Sequence, residues 1–164
     1  MWNLSPDRRP RPAVVAGCVA LLLTCGAGWL KHHDAQQRAE LMAGPESVRA
    51  ATESTIAMLS YSSDTVETDL LPVRDQLTGE FRDSFTTLVN DVVIPSAQEK
   101  KIRSTATVPA AASVSADSTH ALVLVYVNQT TVIGDDPPTD TASSVKVTLE
   151  QINGRWLISD FAPI

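Results

Sequence analysis

In the stretch VKVTLEQINGRWLISDF, residues 145–161, Val145, Val147 and Leu149 alternate with Lys146, Thr148 and Glu150. A period of two marks a strand with one dry face and one wet face. Asn153 and Gly154 come next, the pair that suits a two-residue type I′ turn, because both central positions of that turn take positive φ. Trp156 to Phe161 is then the returning strand of a hairpin. Further upstream, ALVLVYV (Ala121 to Val127) is apolar at every position, which predicts a central strand covered on both sides. Residues 104 to 116 are rich in Thr, Val and Ala and predict another strand, interrupted at Pro109. Between these strands, Asp135, Asp136 and Asp140 crowd a loop with Pro137 and Pro138. The glycine and distal glutamate of a calcium loop are missing, so the loop reads as a solvated hairpin connection.

Ahead of the strands the period is helical. Phe81, Phe85, Leu88, Val89 and Val92 fall at i, i+4, i+7, i+8 and i+11, a broad face suited to burial, with Pro95 marking its end or a bend. Val66, Leu70, Val73 and Leu77 also follow helical spacing, from an N-cap at Ser63, and Pro72 must kink or split that segment. Pro45 in a first turn, followed by Glu46, opens an earlier helix whose apolar face is Val48, Ala51, Ile56 and Leu59. Helices first and four antiparallel strands after them define an α+β fold, with the helices on one face of a curved sheet.

The N-terminal part has a different physics. Residues 13–30, AVVAGCVALLLTCGAGWL, carry no charge and no proline. As a helix they span about 27 Å, close to the hydrocarbon thickness of a bilayer. Arg8, Arg9 and Arg11 precede them, so the positive-inside rule keeps the N-terminus in the cytoplasm. The expected organisation is a basic cytoplasmic tail (1–12), a transmembrane helix (13–30), a juxtamembrane helix or linker (31–45) and an extracytoplasmic α+β domain (46–164). The cell membrane, crossed once, is the expected location. A cleavable signal peptide is the competing reading; Trp29, Leu30 and Lys31 prolong the stretch where a cleavage site should end it, which favours an uncleaved anchor. Val15 to Cys18 resembles a lipidation box, but only Ala13 and Val14 separate it from Pro12. Cys18 and Cys25 lie seven apart on one helix face, facing lipid or a partner helix.

The 164 residues suffice for one domain, and two cysteines exclude a disulfide scaffold. The net charge of −6 divides into +2 over residues 1–30 and −8 over the rest, a balance that phosphate backbones repel; nucleic acid is excluded as a partner. Catalytic chemistry finds little support. His120 is the single histidine beyond the adjacent His32 and His33, and no G-x-S-x-G elbow occurs. His32, His33 and Asp34 are consecutive and do not share a helix face, so no metal site is expected. Tyr61, Tyr126 and Asp160 are the only acid and tyrosine set that could serve an isomerase. Lys100, Lys101 and Arg103 read as a wet surface patch. Asn128, Gln129 and Thr130 form a glycosylation sequon, which marks an exposed site. No catalytic, cofactor or metal residue is therefore assigned. Phe81, Phe85, Leu124 and Trp156 are candidates to line an apolar pocket, with ordinary core packing as the competing reading.

A family pattern is visible in the order of these pieces. LTGEF (Leu77 to Phe81), VVIPSAQEKKI (Val92 to Ile102), ALVLVYVNQT (Ala121 to Thr130) and NGRWLISDFAPI (Asn153 to Ile164), behind a membrane anchor, resemble the Mce-associated membrane proteins of mycobacteria and related actinobacteria. The resemblance covers roughly Glu46 to Ile164. It implies a single-pass anchor and a domain similar to the nuclear-transport-factor-2-like cone, a shape related to the inner-membrane assembly subunit of type IV secretion systems. It also implies a non-enzymatic accessory or stabilising role beside Mce transporters, which import lipids, with transporter subunits and the bilayer as partners. A lipid-binding domain that shelters or hands over a hydrophobic ligand is the alternative, and an isomerase or hydrolase a more distant one. A homo-oligomer through the anchor or a sheet edge is left open, with no register legible.

Overall fold

A computed structural model describes residues 42–164. The expected basic tail, the expected transmembrane helix and residues 31–41 of the expected juxtamembrane segment lie outside the described residues. Among the described residues no helix is long and apolar enough to cross a membrane.

The expected α+β arrangement is present. Strands β1 (Tyr61–Ser62), β2 (Ile102–Ala116), β3 (His120–Ile133), β4 (Thr139–Ile152) and β5 (Arg155–Pro163) form one antiparallel sheet in the order β1-β2-β3-β4-β5. The turn between β4 and β5 is as the sequence predicts, with Asn153 at φ 52° and Gly154 at φ 77°. The inner face carries Val123, Val125 and Val127 from β3, Val145, Val147 and Leu149 from β4, and Trp156 and Ile158 from β5, all buried. β2 begins two residues earlier than expected, and its register shifts twice, between Thr107 and Ala110 and between Ser113 and Ser115. Pro109 falls in the first shift, where the ladder is already interrupted and a missing N–H costs no bond.

The expectation that β3 is covered on both sides is corrected. Leu122 and Leu124 are half-buried and Tyr126 is exposed, while their odd-numbered neighbours are fully buried. In register, Leu122 lies between Ser115 and Thr148, and Leu124 between Ala112 and Lys146. These neighbours screen the two leucines edge-on, and the helices pack on the opposite face.

Four helices build that layer. α1 covers residues 42–59. Its buried stripe is Ala43, Ser47, Ala51, Ser54, Thr55 and Met58, whereas Val48, Ile56 and Leu59 are only half-buried. The expected apolar face is thus displaced in favour of small side chains, which let the helix approach the sheet closely. A Cβ placed on Gly44 would meet the Ser113 side chain of β2 at 3.9 Å. Pro45 does not open this helix but sits within it, and the Ser47 hydroxyl donates to the Gly44 carbonyl at 3.0 Å. The end of α1 is fastened to β2: Ser104 donates to the Leu59 carbonyl at 2.7 Å, and the Ala106 amide donates to Ser60 Oγ at 3.0 Å.

α2 (Val66–Leu70) begins after Thr65, not Ser63, and passes directly into a 3-10 segment, Leu71–Gln76, at Pro72. Val66, Leu70, Val73 and Leu77 are all buried, as their spacing predicts. α3 (Gly79–Leu88) continues through a π-turn, Val89–Val93, into α4 (Ile94–Lys100). The wider π-turn loosens the backbone just ahead of Pro95, whose ring would crowd a regular helix, so the chain stays helical through the proline. The broad buried face expected here is narrower in fact. Burial follows the single ridge Phe81, Phe85 and Val89, while Leu88 and Val92 on the adjoining ridge are 52% and 51% exposed. A second small core of Val66, Leu70, Val89 and Ala97 draws the end of α3 toward α2 and α4 and turns Leu88 and Val92 outward.

Candidate functional site

Of the residues proposed to line an apolar pocket, Phe81, Phe85 and Trp156 belong to the main core and Leu124 does not. Phe81 and Phe85 pack with each other, centroids 6.5 Å apart, and against the main core. Trp156 is buried at the far end of β5, on the floor of a cleft between α1 and the β4–β5 turn. Leu124 stands on the outer face of the sheet, away from the other three. The fold therefore does not bring these four side chains to one cavity.

The cleft above Trp156 has a volume of about 420 Å³ and is walled by Glu46, Arg49 and Glu53 of α1 and by Arg155. Arg155 Nη2 donates to the Asp75 carbonyl at 3.1 Å, so the turn is tied to the 3-10 segment. Its walls carry two carboxylates and two guanidinium groups, a polar lining suited to hydrogen bonding rather than to sheltering a hydrocarbon tail.

Tyr61, Tyr126 and Asp160 are likewise dispersed. Tyr61 lies on β1, where partial burial pushes its phenol pKa upward. Tyr126 and Asp160 are exposed, on β3 and β5. His120 belongs to the turn that opens β3. There Asp117 accepts the backbone N–H groups of Thr119 and His120 at 2.7 and 2.8 Å and the Thr119 hydroxyl at 2.8 Å. These donors hold the Asp117 carboxyl below the ordinary aspartate range, the backbone N–H of Thr119 first among them. The carboxylate acts as the clasp of a tight turn. Among the described residues no group of three His, Cys, Asp or Glu side chains is placed to hold a metal ion.

The acidic loop joins β3 to β4 as a hairpin connection, as expected, with Asp140 inside β4 and bonded by Thr130 Oγ1 at 2.6 Å. Asn128 of the sequon is exposed on β3. Lys101 and Arg103 border a second surface cleft with Ser63, Asp64 and Gln98, at the junction of α4 and β2. Lys101 takes the left-handed conformation that ends α4, at φ 52°.

Three further features of the surface are exposed among the described residues. Leu88 and Val92, with Asp83, Ser84, Thr87 and Asp91, line an open groove of about 540 Å³ along α3 and the π-turn. Leu122, Leu124 and Tyr126 form an apolar row on the outer sheet face. The third feature is main-chain: β5 pairs with β4 only from Val145 onward, leaving the outer edge of residues 139–143 without a strand among the described residues. Sequence reasoning missed the exposed helix ridge, and it expected an exposed sheet edge without showing which one. The edge has no side-chain signal, since it follows from the relative lengths of β4 and β5.

This α+β domain has clear relatives. Residues 12–162 match the family described as uncharacterized protein Rv1363c/MT1408-like, and this chain belongs to that family. The "Outer membrane protein Rv1973" of Mycobacterium tuberculosis H37Rv is 58% identical over 146 residues, covering 89% of this chain and 91% of that protein. Among solved structures, the IcmL-like type IV secretion system protein lpg0120 of Legionella pneumophila aligns with a TM-score of 0.59 at 11% identity, over 71% of this chain and 90% of that one. CagV, a VirB8 homolog from Helicobacter pylori strain 26695, aligns with a TM-score of 0.54 at 11% identity, over 71% and 98%. The fold is thus shared with type IV secretion system proteins of the VirB8 kind, the related shape that the sequence resemblance implies.

Proposed function

We propose that this protein is a non-enzymatic, membrane-anchored accessory subunit of an Mce-type lipid import system in the cell envelope, its N-terminus cytoplasmic and its α+β domain outside. The observation that carries the proposal is the pairing of one apolar span, residues 13–30, with a domain whose relatives belong to the envelope. The name of the 58% identical relative, an outer membrane protein, supports an envelope location. The fold shared with a VirB8 homolog supports a part in assembling a multi-subunit machine. The motifs from Leu77 to Ile164 support the Mce association in particular. The role rests on docking: the anchor confines the domain to the membrane surface, and its exposed helix ridge meets transporter subunits there.

The test is a mild-detergent pull-down of the tagged full-length chain from its native membrane, with mass spectrometry of the proteins recovered. Recovery of transporter permease, ATPase or Mce subunits above a control carrying residues 1–45 alone is the expected result. Recovery of an intact chain without them, together with a retained lipid, would overturn the accessory role in favour of lipid carriage.

A further inference from the structure

We propose that residues 139–143 of β4 pair edge to edge with the same residues of a second copy, in an antiparallel register centred on Thr141. The Ile164 amide donates to the Ser144 carbonyl at 3.0 Å, which shows that Ser144 directs its main-chain groups away from β3. Ala142 and Asp140 share that direction, since residues two apart in a strand are equivalent. Their N–H and C=O groups are therefore presented outward, at exposed positions with no strand beside them among the described residues.

Proteins ordinarily guard such an edge with proline, a charged side chain or a bulge. Here the guards stand on either side of the open stretch and not within it. Pro137 and Pro138 precede it, and Pro163 closes the part covered by β5. The one charge inside, Asp140, is engaged by Thr130 Oγ1 of β3 and is turned along its own hairpin. The sequence TDTAS is otherwise small and polar, and threonine suits a strand.

This edge complements itself. Centring on Thr141 sets Asp140 opposite Ala142 of the second copy, and Thr139 opposite Ser143. Each of the two Asp140–Ala142 pairs exchanges two N–H···O bonds, and hydroxyl side chains meet at the ends. Centring on Asp140 instead would oppose like charges. Thr139 is the last residue to pair, and Pro138 turns the chain away before it reaches Ile164. The helical layers of the two copies then lie on the same side of a continuous sheet.

Thr141 faces its own counterpart in a non-hydrogen-bonded pair, where the Cα separation permits a disulfide. In full-length chain reconstituted in vesicles, with Cys18→Ser and Cys25→Ser as background, T141C is expected to give a covalent dimer on mild oxidation. T139C should give at least about tenfold less, because its own counterpart lies about 13 Å away. Adding Ala142→Pro, which removes an outward N–H and leaves the β3 ladder intact, should abolish the T141C dimer without changing the circular dichroism spectrum. The proposal is overturned if T141C stays monomeric, if T139C links equally well, or if Ala142→Pro leaves linking unchanged. Cross-linking of T141C to a different protein in native membranes, with no dimer, would overturn it as well.

Discussion

Phe81 on α3 and Phe161 on β5 stack with ring centroids 6.4 Å apart and planes 18° from parallel. This contact joins the helical layer to the last strand across 80 residues of chain. Close by, the Thr78 amide donates to the Ile158 carbonyl at 2.8 Å, so the segment leading into α3 covers part of the outer edge of β5. Phe81→Ala should therefore loosen two layers together, at a cost of about 2 kcal/mol, somewhat below that of a fully buried Phe because the ring is half-exposed. Urea unfolding of the detergent-solubilised chain checks this. A midpoint equal to that of Glu80→Ala, an exposed neighbour, would refute it.

Thr55 is fully buried in α1, and its hydroxyl has no hydrogen-bond partner among the described residues. An unpaired buried hydroxyl opposes folding, and valine keeps the shape while removing it. Thr55→Val is expected to raise stability by about 1 kcal/mol, whereas Thr55→Ala removes packing as well and should gain nothing. A loss of stability in the valine variant would show that the hydroxyl has work to do.

The β4–β5 turn places Gly154 at φ 77° with no atom within 4 Å of where a Cβ would stand. Space is free but the backbone conformation is hostile to side chains, above all to branched ones. Gly154→Val should cost about 1–2 kcal/mol, and Asn153→Gly, at φ 52°, only a few tenths. Thermal melts of the two variants separate conformational strain from crowding; equal melting temperatures would contradict this account.

Asp117 has a pKa depressed by hydrogen bonds that exist only in the folded turn. The carboxylate form is the one that those bonds stabilise. Its contribution is complete above the ordinary aspartate range and is lost as pH falls through the lowered folded value. Carbon-13 titration of the Asp117 carboxyl should give a midpoint below that of an unfolded peptide. Asp117→Ala should speed amide exchange at Thr119 and His120 at neutral pH, and this difference should shrink in acid. An ordinary midpoint would remove the clasp.

The sheet was legible in the sequence wherever alternation and turn chemistry coincide. Val145, Val147 and Leu149 lie on the inner face, and Asn153 and Gly154 take the φ values that a type I′ turn requires. The buried series Val66, Leu70, Val73 and Leu77 was also legible, because large side chains at helical spacing leave little choice of face. α1 was legible in part: Ala51 of the expected face is buried and Val48 and Leu59 pack at its margin, but the buried stripe runs through Ala43, Ser47, Ser54, Thr55 and Met58, and hydropathy gives small or hydroxylated residues little weight. Leu124 entered the candidate pocket because a wholly apolar run hides which residues face inward. The α3 face was too broad for a related reason. Only the presence of Val66, Leu70 and Ala97 decides that Val89 is drawn inward and Leu88 left outside, and that is a tertiary fact.

Every strand from β2 to β5 is a neighbour in space of the strand next to it in sequence. Chain closure between them is cheap, since each loop is only a few residues long. The sheet can therefore zip from the Asn153–Gly154 turn backward, strand by strand, on the fast side for an all-antiparallel assembly. Two connections do not share this economy: β1 with β2, Tyr61 opposite Ser104, and the bridge of Leu77 to Ile158. Both belong to the helical half, so docking the helices on the sheet closes longer loops than any hairpin does. The helical segments leave the ribosome first and must wait, with Phe81, Val73 and Leu77 uncovered, until β5 arrives at the very end of the described chain.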